Sequence, residues 1–262
     1  MRNRFQRLLR PRLLVAVGAV LAVIAGGLAA TVASGLLFHD SSKPALVADA
    51  LHRFRQETPK PQQSEGLYLY ATVGRESLDV LKGAAHVYPA TTTISLTRVP
   101  CGVQLQWQAL EDRSTTWVLC RSGRRIVLRR ADEAHAFFGQ TDHTSYLCAA
   151  GAAWPTGEPP GARRAFTCRS AHDREQGVAL MLGKAVLTVG GARVDTLHIR
   201  TIAQVSGRDH GTETVDWWLE PDTAVPVRMD ISSRTSRAVV LIGTAHYHED
   251  AELRLSSLEP LR

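Results

Sequence analysis

In many segments between Gly66 and the C-terminus, apolar residues recur at every second position, and this alternation limits the fold more than any other feature of the sequence. In residues 103–109 (VQLQWQA), for example, every second residue is a glutamine. Successive side chains of a strand point to opposite faces, so such a segment is a strand with one buried face. Similar runs follow one another across short glycine-containing turns. The pattern predicts a mainly β, antiparallel domain with a few short helices, an α+β fold.

Three segments have a helical period instead. Apolar residues at helical spacing predict a helix over residues 44–56, before a linker rich in proline and glutamine. Asp132–Phe138 has an acidic residue suited to a helix N-cap, and residues 173–184 contain an apolar run of helical length. Both are predicted as short helices inserted among the strands.

Residues 13–38 form an uninterrupted uncharged segment that follows five arginines within residues 1–12. A bilayer core needs about 20 apolar residues, and positively charged flanks stay on the cytoplasmic side. The segment is therefore predicted to be a single-pass transmembrane anchor with a cytoplasmic N-terminus. A cleaved signal peptide is the alternative, since residues 31–34 are small, although signal cores have only about 7–15 apolar residues.

The sequence thus predicts four parts. They are a basic cytoplasmic tail (1–12), the anchor (13–38), a juxtamembrane helix and linker (39–65), and an extracytoplasmic β-rich domain (66–262). The region near residues 151–193 begins with a loop rich in proline and glycine. Either this region divides the domain into two subdomains, or the strands on its two sides share one sheet.

The net charge of +6 does not indicate a nucleic-acid partner, because it is concentrated in the tail. Removing five of the 31 basic residues leaves 26 against 25 acidic residues, a net charge of +1 for the remainder. A nearly neutral domain lacks the electrostatic attraction that nucleic-acid binding requires. We therefore predict a membrane-associated protein that does not bind nucleic acid.

Four cysteines, Cys101, Cys120, Cys148 and Cys168, follow the anchor. An even number of cysteines in an oxidising compartment favours disulfides. Their spacing lacks the close pairs that are typical of zinc sites and redox dithiols. Of the three connectivities, we favour Cys101–Cys120 and Cys148–Cys168, because each pair brackets a predicted hairpin or loop.

Catalytic motifs are absent from the sequence: there is no nucleophile elbow, phosphate-binding loop or dinucleotide fingerprint. His246 and His248 would share one face of a strand, but two histidines alone are typical of a solvated strand end. Asp216, Glu220 and Asp222 suggest a glycosidase carboxylate pair, yet the last two lie in a segment of turn composition. We predict no catalytic residues, no metal and no cofactor, and hence not an enzyme.

Residues 217–228 (WWLEPDTAVPVR) carry a resemblance to a known family. A strand ending in tryptophan, a Pro-Asp turn and a strand starting Val-Pro-Val-Arg resembles the hairpin of LolA-like half-barrels, with Glu220 where that family often has aspartate. The resemblance covers residues 194–258 and the helix before the sheet. The family includes periplasmic lipoprotein carriers, envelope lipid-binding lipoproteins and a regulator that binds an anti-sigma factor. The chain also looks like uncharacterised anchored exported proteins of high-GC bacteria.

The resemblance implies a curved antiparallel half-barrel whose concave face, closed by helices, holds an acyl chain or another apolar ligand. Alternating apolar residues are the candidate cavity liners, with ordinary core packing as the alternative: Val103, Leu105, Trp107, Trp217, Leu219 and Val227. We therefore expect a non-catalytic cell-membrane protein whose extracytoplasmic domain binds a lipid or other apolar ligand. An envelope sensor or interaction module that regulates a membrane protein partner is the alternative.

Overall fold

The structure, a computed structural model, describes residues 42–79, 84–123, 125–138, 140–149, 152–239 and 243–262. This part of the chain contains one α-helix, α1 (Val47–Glu57), and thirteen β-strands. The strands are β1 (Gly66–Asp79), β2 (Ala84–Val87), β3 (Thr91–Val99), β4 (Gly102–Leu110), β5 (Arg113–Ser122), β6 (Arg125–Phe137), β7 (Gln140–Cys148), β8 (Arg163–Arg169), β9 (Asp173–Val189), β10 (Ala192–Gly207), β11 (Asp209–Leu219), β12 (Pro226–Val239) and β13 (Gly243–Leu255).

The strands form one antiparallel sheet that closes on itself. From β3 to β13, each strand pairs with its neighbours in sequence. One edge of β1 pairs with β3 over residues 66–71 and with β2 over residues 75–78. Its other edge pairs with β13 over residues 70–79. The predicted mainly β, antiparallel fold is confirmed, but an open half-barrel is not what forms, because the ladder between β1 and β13 completes a closed ring.

The single described helix lies on the outside of this ring. The predicted helix over residues 44–56 is confirmed as α1, with Ala50 and Phe54 as its buried residues. Together with Leu67, these two residues line a groove. The side chain of Leu67 points away from the interior of the ring, whereas that of its neighbour Tyr68 packs inside it. The helix therefore covers the outer face of the sheet, and opposite strands, rather than helices, close the concave face.

Two segments predicted as helices are strands. Asp132–Phe138 falls largely within β6, and residues 173–184 fall within β9. At the end of β6 and the beginning of β9, the residues that face the interior include charged ones. The alternation of apolar and polar residues is therefore interrupted in both segments. The strands that flank the loop near residues 151–162 belong to the same ring.

The predicted tail and anchor, residues 1–12 and 13–38, lie outside the described residues. Among the residues that are described, no helix is long and apolar enough to cross a membrane.

The interior of the ring has an apolar half and a polar half. Large side chains meet across the apolar half: the rings of Trp117 on β5 and Trp217 on β11 lie 5.1 Å apart. The loop before β8 adds Trp154, whose ring is also 5.1 Å from that of Trp217. Tyr70 donates a hydrogen bond of 2.7 Å to the carbonyl oxygen of Pro226. This tight packing fills one half of the ring and leaves the space for a cavity at the other half.

Both predicted disulfides, Cys101–Cys120 and Cys148–Cys168, are confirmed. The first joins the turn after β3 to β5. The second lies in the ladder between β7 and β8, which consists of only two residue pairs. This short ladder is the narrowest seam in the ring, so the second disulfide supplies a covalent link where hydrogen bonds are fewest.

Replacing Cys148 and Cys168 together by serine is expected to lower the free energy of unfolding by about 3 kcal/mol, because the disulfide closes a loop of 20 residues. It is also expected to speed hydrogen exchange of the β7 amides, since the seam loses its covalent link. Urea titration and hydrogen exchange followed by mass spectrometry measure both effects. The matched Cys101→Ser/Cys120→Ser variant should lose similar stability without faster exchange in β7; equal exchange in the two variants would contradict the special role of the seam.

Candidate ligand cavity

A cavity of about 260 Å³ occupies the polar half of the ring. Its walls come from the ends of β1, β6, β10 and β12 and the beginnings of β7, β9, β11 and β13, which meet at the same end of an antiparallel sheet. Exposed Gln140 is among its lining residues, so the cavity reaches the surface. The aromatic and charged lining residues are Glu133, His135, Phe137, Asp142, Tyr146, Glu175, Asp209, Glu213, Arg237 and Tyr247.

A buried ion pair adjoins the cavity, and we call this neighbouring region its floor. Arg113 and Glu249 line a small separate space that shares Glu133, His135 and Tyr247 with the cavity. Arg113 at the start of β5 is only 3% exposed, and its Nη2 donates hydrogen bonds of 2.9 and 2.8 Å to the two carboxylate oxygens of Glu249 on β13. The hydroxyl of Tyr88 donates to the same carboxylate at 2.5 Å. The Nε of Arg113 lies 3.5 Å from Glu76. The guanidinium is therefore held between two buried carboxylates, and the carboxylates keep its pKa well above the usual value although burial alone would lower it.

Glu76 on β1 collects further partners. Its carboxylate lies 2.9 Å from Nδ1 of His86 and 3.2 Å from Nδ1 of His135 on β6, and it accepts a hydrogen bond of 3.0 Å from Tyr247. Burial would raise the pKa of Glu76, but the histidine hydrogen bonds and the charge of Arg113 outweigh burial and lower it to about 2. The carboxylate is therefore ionised at every ordinary pH.

The rim of the cavity is bridged by a second cluster of charges. Arg237 on β12 contacts Asp209 on β11 and Asp142 on β7, each at 2.5 Å. Arg208, in the turn between β10 and β11, lies 3.3 Å from Asp142. Because β7 and β12 are not neighbours in the sheet, these contacts cross the ring. They lower the pKa of Asp142 against the effect of its burial.

Two carboxylates in the wall have no such partners. Glu175 on β9 is 8% exposed, and neither it nor Glu213 on β11 has a hydrogen bond or ion pair with any described residue. Burial raises the pKa of Glu175 to about 8, with the nearby charges of Glu133 and Asp173 adding to the effect. Burial, Glu133 and Glu175 likewise raise the pKa of Glu213 well above its usual value. Both side chains are thus charged only at a cost in free energy.

The residues predicted as cavity liners lie elsewhere. Five of them, Leu105, Trp107, Trp217, Leu219 and Val227, are buried in the core cluster, and Val103 is partly buried against it. None of the six lines the cavity at the polar end. The cavity is lined instead mostly by polar and aromatic residues, which apolar alternation does not reveal.

His246 and His248 are exposed on the outer face of β13, as their shared parity predicts. Their neighbours Tyr247 and Glu249 face the interior and take part in the buried network. Within the described part of the chain, no group of three or more histidine, cysteine or acidic side chains has the arrangement of a metal site.

The three carboxylates near Trp217 and Trp218 have separate structural roles. Asp216 pairs with Arg200 and His198 on the neighbouring strand. Glu220 accepts hydrogen bonds from the backbone of Asp222 and Thr223 and so closes the turn between β11 and β12. A shared carboxylate pair is not formed.

Comparison with known proteins gives little beyond this geometry. No family model and no curated protein matches the chain. Among solved structures, the chain is similar to the crystal structure of the hypothetical lipoprotein YmcC from Escherichia coli K12, with 12% sequence identity and a TM-score of 0.34. The likeness covers 82% of this chain and 93% of that one. The resemblance to LolA-like half-barrels stays a prediction.

Proposed function

We propose that this protein is a non-catalytic envelope protein whose closed sheet holds a small amphipathic ligand in the cavity at its polar end. The observation that carries the proposal is the cavity itself: about 260 Å³ of space inside a sheet whose other half is densely packed. A protein interior is ordinarily filled to the density of an organic crystal, so a void of this size surrounded by side chains favours a binding role.

The size of the cavity limits its occupant. Ligand pockets usually measure about 300–1,000 Å³, and this one lies just below that range. It is therefore comparable to the smallest pockets that hold drug-sized ligands. A whole diacyl lipid does not fit, whereas a small amphipathic molecule, or one end of a longer molecule that enters past Gln140, does.

An extracytoplasmic location is part of the proposal. It is supported by the two disulfides, because disulfides persist in oxidising compartments and are rare in the cytosol. The anchor predicted over residues 13–38 would hold the cavity domain at the outer side of the cell membrane.

Extraction of the bound ligand tests the proposal. The full chain is purified, extracted with organic solvent and analysed by mass spectrometry, beside the Thr235→Trp variant. Thr235 lines the cavity, so an indole at this position fills it. We expect a small amphipathic compound in the wild-type extract and its loss from the variant.

The matched control is Thr212→Trp, which adds the same side chain at an exposed position on β11. It should keep the compound, and it corrects for membrane lipids that adhere to any purified sample. If every compound in the wild-type extract is also present in the Thr235→Trp extract, the proposal is refuted. Thermal unfolding of all three proteins establishes that each is folded.

A further inference from the structure

The charges that line the cavity do not balance. Five lining residues are carboxylates and two, His135 and Arg237, are cations or can become so. Arg237 pairs with both aspartates of the rim, and His135 lies 3.8 Å from Glu133. Glu175 and Glu213 are left over, facing the same space from β9 and β11.

The burial of Glu175 makes this imbalance informative. The residue is more than nine-tenths buried, it lines the cavity, and no described residue donates a hydrogen bond to its carboxylate. A buried carboxylate is ordinarily hydrogen-bonded or paired with a cation, since leaving it alone costs several kcal/mol. A neutral side chain would occupy the same position at a smaller cost, so the carboxylate favours a partner from outside the chain.

We propose that Glu175 and Glu213 bind the ammonium group of a small amphipathic amine, whose apolar part lies against the aromatic residues of the cavity. This inference rests on the proposed function and names the chemical class of its ligand. An ammonium group donates up to three hydrogen bonds, and charge-assisted hydrogen bonds to carboxylates are about twice as strong as neutral ones.

The aromatic residues suit such a ligand. Phe137, Tyr146 and Tyr247 line the cavity, and the rings of Phe137 and Tyr247 stand edge to face, with centroids 6.2 Å apart. Aromatic faces attract organic cations and also pack against hydrocarbon. A carboxylic acid finds no free cation among the lining residues, because His135 and Arg237 already contact carboxylates of the chain, so a fatty acid is disfavoured in this position.

Two probes that differ only in charge test the inference. 2-Phenylethylamine and 2-phenylethanol have nearly the same shape, and both are small enough for a cavity of about 260 Å³. The full chain in phosphatidylcholine nanodiscs is titrated with each by calorimetry at pH 8, with empty nanodiscs subtracted. We expect the amine to bind at least about tenfold more tightly than the alcohol, because its charge is paired in a poorly solvated site.

The Glu175→Gln/Glu213→Gln variant should bind the alcohol as the wild type does and lose the preference for the amine. Asp195→Asn removes an exposed carboxylate from the outside of β10 and should keep the preference. Equal binding of the two probes by the wild type, or a preference that survives in the double variant, overturns the inference and leaves the proposed cavity function intact. Failure of both probes to bind the wild type counts against the proposed function as well as the inference.

Discussion

The Arg113→Met variant is expected to lose about 3–5 kcal/mol of its free energy of unfolding. Arg113 is nearly inaccessible, and its guanidinium is the charge that neutralises Glu249 and Glu76 at the floor of the cavity. Methionine fills much of the same volume but leaves the buried Glu249 carboxylate without a cation and Glu76 with only its histidine and tyrosine partners. Urea-induced unfolding of the full chain, followed by tryptophan fluorescence, measures the loss.

Two further variants separate charge from packing. Arg130→Met removes an arginine that is half-exposed and paired with Asp132, and it should change stability by less than about 1 kcal/mol. Adding Glu249→Gln to Arg113→Met removes one of the unpaired charges and should recover part of the loss. Equal losses for the two arginine variants, or no recovery in the double variant, would show that the ion pair is not what stabilises the floor.

Buried charge also explains why sequence periodicity located the sheet but not its cavity. Strands that face the packed core, such as β4 with Trp107, alternate apolar and polar residues and were predicted from that pattern. In β6 and β9 the inward residues at one end are Glu133, His135 and Glu175, which line the cavity. Polar residues on both faces remove the period of two, so the pattern of these segments wrongly predicts helices.

The closure of the ring depends on contacts that are distant in sequence. The ladder between β1 and β13 joins residues 70–79 to residues 246–255. Local alternation predicts each of these strands but carries no information about which strand pairs with which. By contrast, the disulfides join cysteines 19 and 20 residues apart, and the turn at Glu220 lies within one hairpin. Such local features could be predicted from spacing alone.

The site could have been approached from the sequence by one signal. Once residues 246–255 are accepted as a strand, the parity that places His246 and His248 outside places Tyr247 and Glu249 inside. A glutamate at an inward position is uncommon in a packed core and indicates either a buried ion pair or a cavity. The partner Arg113 begins another strand, however, so the sequence alone does not distinguish these two outcomes.

The unpaired carboxylates also determine how stability should vary with pH. In the folded chain the pKa of Glu175 is about 8, whereas its usual value is 4.5. Between these two pH values the folded protein retains a proton that the unfolded chain has released. Stability contributed by this group is therefore complete below about pH 4.5 and is lost as the pH rises towards 8. Glu76 acts in the opposite sense: with a folded pKa of about 2, its contribution is lost as the pH falls from 4.5 to 2.

The wild type is therefore expected to be most stable near pH 4.5, and Glu175→Gln is expected to reduce the decline above it. One such group changes the free energy of unfolding by about 1.4 kcal/mol for each pH unit, so at pH 8 the variant should be more stable than the wild type by up to about 5 kcal/mol. Urea titrations between pH 4 and 9 measure the difference, with Asp195→Asn as the control. A wild type equally stable at pH 5 and pH 8 would mean that Glu175 is solvated or already paired.

If an amine occupies the cavity, adding it at pH 8 should restore stability to the wild type but not to Glu175→Gln. A ligand that binds only the folded state stabilises that state, and the effect grows with its affinity.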